Sequence, residues 1–203
     1  MKAMHVQMTI IALFVAAFSA PVLAQHAHEG DLIVGVQGGQ LAVEFHFDEA
    51  IELHPVAPNI FGIEGFSADE PGFDHADGTD PDLGALSAGA EIWLVGLTPF
   101  DAALKVRQPA IPFDLAIDAA GGDLLLGDHE LHTHAFWHLD STIGSFDPLQ
   151  ASWQGTFKLV DRGTTGYAES QPFTLSFVIV PEPAAAVLLL SALPLTLRRR
   201  RRG

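Results

Sequence analysis

The sequence predicts an all-β protein built around a single β-sandwich. Apolar and polar residues alternate through most of residues 25–180, and no segment keeps the i, i+3, i+4, i+7 apolar spacing of an amphipathic helix over three turns. Glycine, proline and aspartate separate the alternating runs. Several short strands with turn signals between them are typical of an immunoglobulin-like or jelly-roll sandwich.

The first predicted element is a hairpin. Residues 32–36 and 41–47 alternate as strands do, and Gly38 and Gly39 between them can adopt the positive φ angles of a tight turn. Further strands are predicted at residues 92–97, 103–107, 113–117, 131–139, 152–160 and 173–180.

Residues 61–86 depart from the alternation. Within them, the stretch 69–82 holds six acidic residues, two prolines and two glycines, which predicts a long loop. Four of its carboxylates are candidate calcium ligands, namely Asp74, Asp77, Asp80 and Asp82. Their spacing does not match an EF-hand loop, so a solvated acidic loop is the favoured interpretation and calcium the weaker one.

The N-terminal residues 1–24 are typical of a signal peptide. Lys2 precedes an apolar run of about a dozen residues, which is too short to span a membrane as a helix. Val22 and Ala24 are small residues at the −3 and −1 positions of a cleavage site. We therefore expect export, with signal peptidase cleaving after Ala24, so that residues 25–180 form the one folded domain.

The C-terminal residues 181–203 contain three ordered parts. Pro181-Glu182-Pro183 precedes an apolar segment at residues 184–197 and five terminal arginines. This order resembles the PEP-CTERM sorting signal of Gram-negative bacteria with exopolysaccharide-rich envelopes. The resemblance implies that an exosortase-like membrane protease recognises the tripeptide and removes the sorting helix. It also implies a location in the cell envelope, at the cell surface or outside the cell, with extracellular polysaccharide as a partner.

The charge of the domain excludes several functions. Residues 25–180 hold 24 acidic and four basic side chains, a formal net charge of −20, and the chain has no cysteine. A surface with this much negative charge repels nucleic acids and anionic lipids, and we therefore expect no nucleic-acid partner. The lack of cysteine excludes disulfides, thiol nucleophiles and thiolate metal sites.

Histidines offer the clearest chemistry. In a strand over residues 131–139, His132, His134 and His138 would share one face, because residues two apart point the same way. His26 and His28, near the expected mature N-terminus, have the same spacing. Neutral imidazole is a common ligand of zinc and copper(II). These five histidines are therefore candidate ligands of zinc or copper.

Other sequence features assign no activity. The order of segments 26–36, 69–74, 132–134, 155–159 and 170–177 is similar to that in a loosely defined group of uncharacterised secreted planctomycete and cyanobacterial proteins with the same tail. No HExxH metalloprotease spacing and no Gly-x-Ser-x-Gly elbow occurs. The sequence therefore favours a non-catalytic exported surface or matrix protein. The alternative is a secreted zinc- or copper-binding module, and a secreted hydrolase is a weaker third interpretation.

Overall fold

The fold is all-β, as the sequence predicts. The computed structural model describes residues 30–56 and 63–180, and in these ranges it contains thirteen strands and no helix. The predicted signal peptide, His26, His28 and the predicted sorting segment with Pro181, Glu182 and Pro183 lie outside the described residues. No helix long and apolar enough to cross a membrane is found in the described ranges.

The strands form two sheets. In chain order they are β1 (Leu32–Gln37), β2 (Gln40–Glu44), β3 (Ile51–Pro55), β4 (Gly65–Ala68), β5 (Phe73–His75), β6 (Ile92–Phe100), β7 (Leu104–Arg107), β8 (Leu115–Ile117), β9 (Asp123–Gly127), β10 (His132–Thr133), β11 (Phe136–Asp140), β12 (Trp153–Asp161) and β13 (Phe173–Ile179). One sheet has four strands in the order β10-β5-β1-β2. The other has nine, in the order β8-β7-β11-β4-β3-β13-β12-β6-β9.

The predicted first hairpin is confirmed. Strands β1 and β2 pair antiparallel, and Gly38 and Gly39 between them have φ angles of 60° and 84°. Glycine is the residue that reaches these angles without a steric penalty, which explains the tight turn at this point. The hairpin places β1 beside β5, with which it pairs in parallel.

The nine-stranded sheet curls until its two ends come close together, so that it is nearly barrel-like. Ile117 on the edge strand β8 packs against the backbone of β6, next to the other edge. A Cβ atom added at Gly96 would lie only 2.7 Å from the Ile117 side chain. Glycine at this position therefore permits the close approach.

Trp137 occupies the centre of one continuous apolar core. Its fully buried ring lies 6.0 Å from that of Phe73, 5.8 Å from that of Phe157 and 5.5 Å from that of Phe177. Its indole N–H donates a hydrogen bond to the carbonyl of Pro71 at 2.9 Å. Because Phe73 belongs to the four-stranded sheet, the core joins both sheets and fixes the segment before β5.

The structure corrects two sequence predictions. The predicted strand 131–139 is divided into β10 and β11, which belong to different sheets. The predicted loop 61–86 contains β4 and β5. Phe73 explains β5, because its fully buried ring anchors a three-residue strand that both β1 and β10 pair with. Burial of one aromatic residue outweighs the acidic and glycine-rich composition around it.

Candidate metal centre

Asp31, immediately before β1, places a carboxylate in the interior. Its side chain is 5% exposed, and Oδ1 accepts a hydrogen bond from the backbone N–H of Gly72 at 2.8 Å. Its Oδ2 atom is buried and has no hydrogen-bond partner among the described residues. A buried carboxylate oxygen without a partner is costly, so a cation or a hydrogen-bond donor would be favourable at this position.

His132 and His134 converge on this carboxylate. Each of the three side chains offers one ligand atom, and these atoms all lie within 4.8 Å of one another. The two imidazole rings are 5.2 Å apart and nearly perpendicular. The side chain of His132 is 47% exposed and that of His134 is 29% exposed, so the group opens to solvent on the histidine side. These three side chains could together hold a metal ion.

The strand pairing explains the convergence. Strand β5 pairs with β1 on one side and with β10 on the other, so the residue preceding β1 and the residues of β10 meet around the start of β5. Gly72 leaves the space that they share. A Cβ atom there would lie 3.0 Å from His134 Nδ1 and 3.1 Å from the carbonyl oxygen of Thr133.

Oxygen atoms face the Nδ1 atoms of both histidines. His134 Nδ1 lies 3.2 Å from the carbonyl oxygen of Asp69 and 3.4 Å from Glu70 Oε1. His132 Nδ1 lies 3.6 Å from Asp74 Oδ2, in the register in which the two residues pair across β10 and β5. Asp69 and Glu70 come just before β5, and Asp74 lies on it, so this segment surrounds both rings.

His138, the third histidine of the predicted strand, does not join the group. It is 1% exposed, and Arg107 Nε donates to its Nδ1 at 3.2 Å. Its Nε2 lies 3.0 Å from the carbonyl oxygen of Glu64, which can only accept. Burial, together with the positive charge of Arg107, lowers the pKa of His138 despite the opposing bond to Glu64. His138 is therefore neutral, and both of its ring nitrogens are hydrogen-bonded within the protein. This environment is typical of a structural histidine rather than of a metal ligand.

The candidate calcium ligands are not brought together. Among the described residues, Asp31, His132 and His134 are the one group of three or more with ligand geometry. Asp77 Oδ1 instead accepts from the N–H and hydroxyl of Thr79, which lowers the pKa of this exposed carboxyl. Asp80 Oδ1 accepts from the N–H of Asp82. These bonds are local turn contacts.

A cavity of about 820 Å³ shares a wall with the candidate centre. Its described lining includes His46, His54 and the segment Asp69–Pro71. Asp69 and Glu70 therefore line the cavity, and the Asp69 carbonyl and the Glu70 carboxylate also face His134. His46 and His54 lie on this side and outside the group of candidate ligands.

Sequence reasoning missed Asp31. No periodic pattern marks the residue, because it stands before a strand, and its hydrogen-bond partner Gly72 is distant in sequence. The available signal was its position between the His26 and His28 pair and the apolar start of β1. An acidic residue at such a boundary is common, so it does not separate a ligand from a solvated turn.

No protein-family model, curated protein or solved structure matches this chain. Inferences about function therefore depend on the residues and their geometry.

Proposed function

We propose that this chain is a divalent transition-metal-binding β-domain with Asp31, His132 and His134 as ligands. Two observations together carry the proposal: the Oδ2 atom of Asp31 is buried without a partner in the described part of the chain, and Asp31 lies in one group with two imidazoles. A metal ion would neutralise this carboxylate and supply the bond that its oxygen lacks.

The ligand types favour zinc or copper(II). Two imidazoles with one carboxylate suit borderline metals, whereas calcium and magnesium prefer oxygen ligands alone. Three protein ligands leave a position of a tetrahedral zinc ion for water or another molecule, as in catalytic and exchangeable zinc sites. The partial exposure of both histidines gives an ion a route from solvent.

Metal titration of the purified protein, prepared without a histidine tag, tests the proposal. We expect one zinc or copper ion per chain, and loss of this binding in the His132→Ala, His134→Ala double variant and in Asp31→Ala. The matched control is the His46→Ala, His54→Ala double variant, which removes two exposed histidines outside the group. Equal binding by wild type and the His132, His134 variant would refute the assignment.

We propose in addition that the domain is exported and sorted to the cell surface or the extracellular matrix. Support comes from the two terminal sequences, residues 1–24 and 181–203, which resemble a signal peptide and a PEP-CTERM signal. Signal peptidase and an exosortase-like protease are the partners that this proposal requires. Replacing Pro181, Glu182 and Pro183 by alanine should leave an unprocessed, membrane-retained chain. Normal processing of that variant would exclude sorting through this tripeptide.

The immunoglobulin-like or jelly-roll sandwich is part of the same proposal. Its support is the single core to which both sheets contribute, with Phe73 from one and Trp137 from the other. A non-catalytic role fits the lack of a recognisable nucleophile motif, and bound metal then serves sequestration or stability rather than turnover.

A further inference from the structure

The segment Asp69–Asp74 surrounds both candidate histidine ligands with oxygen atoms, and these oxygens differ in kind. The carbonyl oxygen of Asp69 cannot donate, so the 3.2 Å contact requires His134 Nδ1 to carry the proton. The carboxylate of Glu70 lies 3.4 Å from the same nitrogen and also favours a proton on it. In the neutral ring, Nε2 then holds the lone pair.

Asp74 has the corresponding position at His132. Its Oδ2 is 3.6 Å from His132 Nδ1, and its side chain is 15% exposed. Its other oxygen, Oδ1, accepts from the N–H of His75 at 2.8 Å, which fixes the carboxylate. A fixed carboxylate facing Nδ1 favours a proton on that nitrogen and leaves Nε2 as the basic nitrogen of the ring.

We infer that Asp74, together with the Asp69 carbonyl and Glu70, positions the two imidazoles and selects Nε2 as the metal-binding nitrogen of each. The inference deepens the proposed function and rests on it for the metal, but the selection itself concerns the metal-free protein. Metal-binding histidines usually donate their second N–H to a carboxylate or a backbone carbonyl, and removal of that partner lowers metal affinity about 10–100-fold.

His138 provides an internal comparison. Its Nδ1 accepts from Arg107 and its Nε2 faces the carbonyl of Glu64, so it carries the opposite tautomer. His138 therefore differs from His132 and His134 in a property that nitrogen NMR resolves, because protonated and unprotonated ring nitrogens have separate chemical shifts.

The decisive experiment is nitrogen NMR of the metal-free protein at pH 8, where ordinary histidine side chains are neutral. We expect Nδ1–H at His132 and His134 and Nε2–H at His138. In Asp74→Ala, His132 should lose its preference for Nδ1–H while His134 retains it. An unchanged His132 signal in that variant, or Nε2–H at His132 in the wild type, would overturn the inference.

Zinc titration supplies the second measurement. Asp74→Ala and Asp74→Asn should bind zinc about 10–100-fold more weakly than wild type. Asp82→Asn is the matched control, since Asp82 is exposed, belongs to the same acidic stretch 69–82 and gives the same charge change. Equal weakening by Asp74→Asn and Asp82→Asn would reduce the effect to net charge and contradict positioning. Absence of zinc binding in wild type would instead refute the metal site, and the NMR result would still decide the tautomers.

Discussion

Asp31 Oδ1 accepts a hydrogen bond from the backbone N–H of Gly72 at 2.8 Å, while Oδ2 of the same carboxylate has no partner among the described residues. One oxygen ties the residue before β1 to the residue before β5. The other is buried, and Asp31 lies in one group with His132 and His134. The carboxylate is thus fixed by the hydrogen bond at Oδ1, whereas the hydrogen-bonding capacity of Oδ2 is not satisfied by any described residue.

Asp31→Asn should therefore have effects of opposite sign with and without metal. The amide keeps an acceptor for Gly72 and removes the buried carboxylate oxygen, so without metal we expect equal or slightly higher stability, by about 1 kcal/mol. With zinc at a hundred times its Kd, wild type should gain about 2.7 kcal/mol and the variant much less. Urea unfolding with chelator and with zinc measures both. Failure of zinc to reverse the order of the two proteins would contradict the role of Asp31.

Gly72→Ala should weaken metal binding without unfolding the domain. The new Cβ would lie 3.0 Å from His134 Nδ1, so the ring must move away from its present position. We expect zinc affinity to fall about tenfold, as for loss of a group that orients a ligand. Gly144→Ala is the control, since no atom lies within 4 Å of a Cβ added there. Equal zinc affinity of the two variants would show that His134 does not need this space.

His138 should make stability depend on pH. Burial lowers its pKa below the ordinary value, so the unfolded chain binds the proton more readily than the folded one. The stability it contributes is present above about pH 6.5 and is lost as the pH falls from there towards the lower folded pKa.

Urea unfolding of His138→Gln between pH 8 and pH 5 checks this expectation. The variant should be less stable at pH 8, because it loses the hydrogen bonds of the imidazole with Arg107 and with the Glu64 carbonyl. Its stability should fall less steeply on acidification, because the titrating group is gone. His54→Gln, the same replacement at an exposed histidine, is the control for loss of an imidazole. Equal slopes in the wild type and His138→Gln would contradict the assignment.

His26 and His28 remain predicted ligands, and they are close enough to Asp31 in the sequence for either imidazole to bind the same metal ion. His28 is three residues from Asp31, so the two Cα atoms are at most roughly 10 Å apart. If one of these histidines completes the coordination, the His26→Ala, His28→Ala double variant should bind zinc more weakly while keeping one ion per chain. Competition with a zinc-sensitive dye measures this change. Unaltered affinity would restrict the ligands to the three described residues.

The fold class could be read from the sequence because alternation is a local property. The β1–β2 hairpin follows from alternating residues around Gly38 and Gly39, and the structure confirms it. Strand β5 could not be predicted, because it depends on Phe73 entering a core formed by distant residues such as Trp137. Sheet membership is likewise a long-range property, which explains why a continuous run at 131–139 proved to be two strands.

The candidate centre was predictable only in part. The spacing of His132 and His134 indicates that both imidazoles reach one side of a strand, and they do lie in one group. The same parity argument placed His138 with them, but the sheet change after Thr133 separates it, and it is buried beside Arg107 and the Glu64 carbonyl. Asp31 comes from the other end of the domain, so its part in the group depends on strand pairing that no local pattern encodes.

The separation of the candidate ligands along the chain has a consequence for a protein without cysteine. An ion bound by Asp31 and His132 would close a loop of roughly 100 residues. For comparison, a disulfide that closed a loop of this length would, in the chain-entropy model, lower the entropy of the unfolded state by the equivalent of about 4.7 kcal/mol. A metal that stays bound only in the folded state does not restrict the unfolded chain in this way. A bound metal can instead be removed and replaced, so this domain would have a cross-link whose strength follows the supply of metal rather than the redox state.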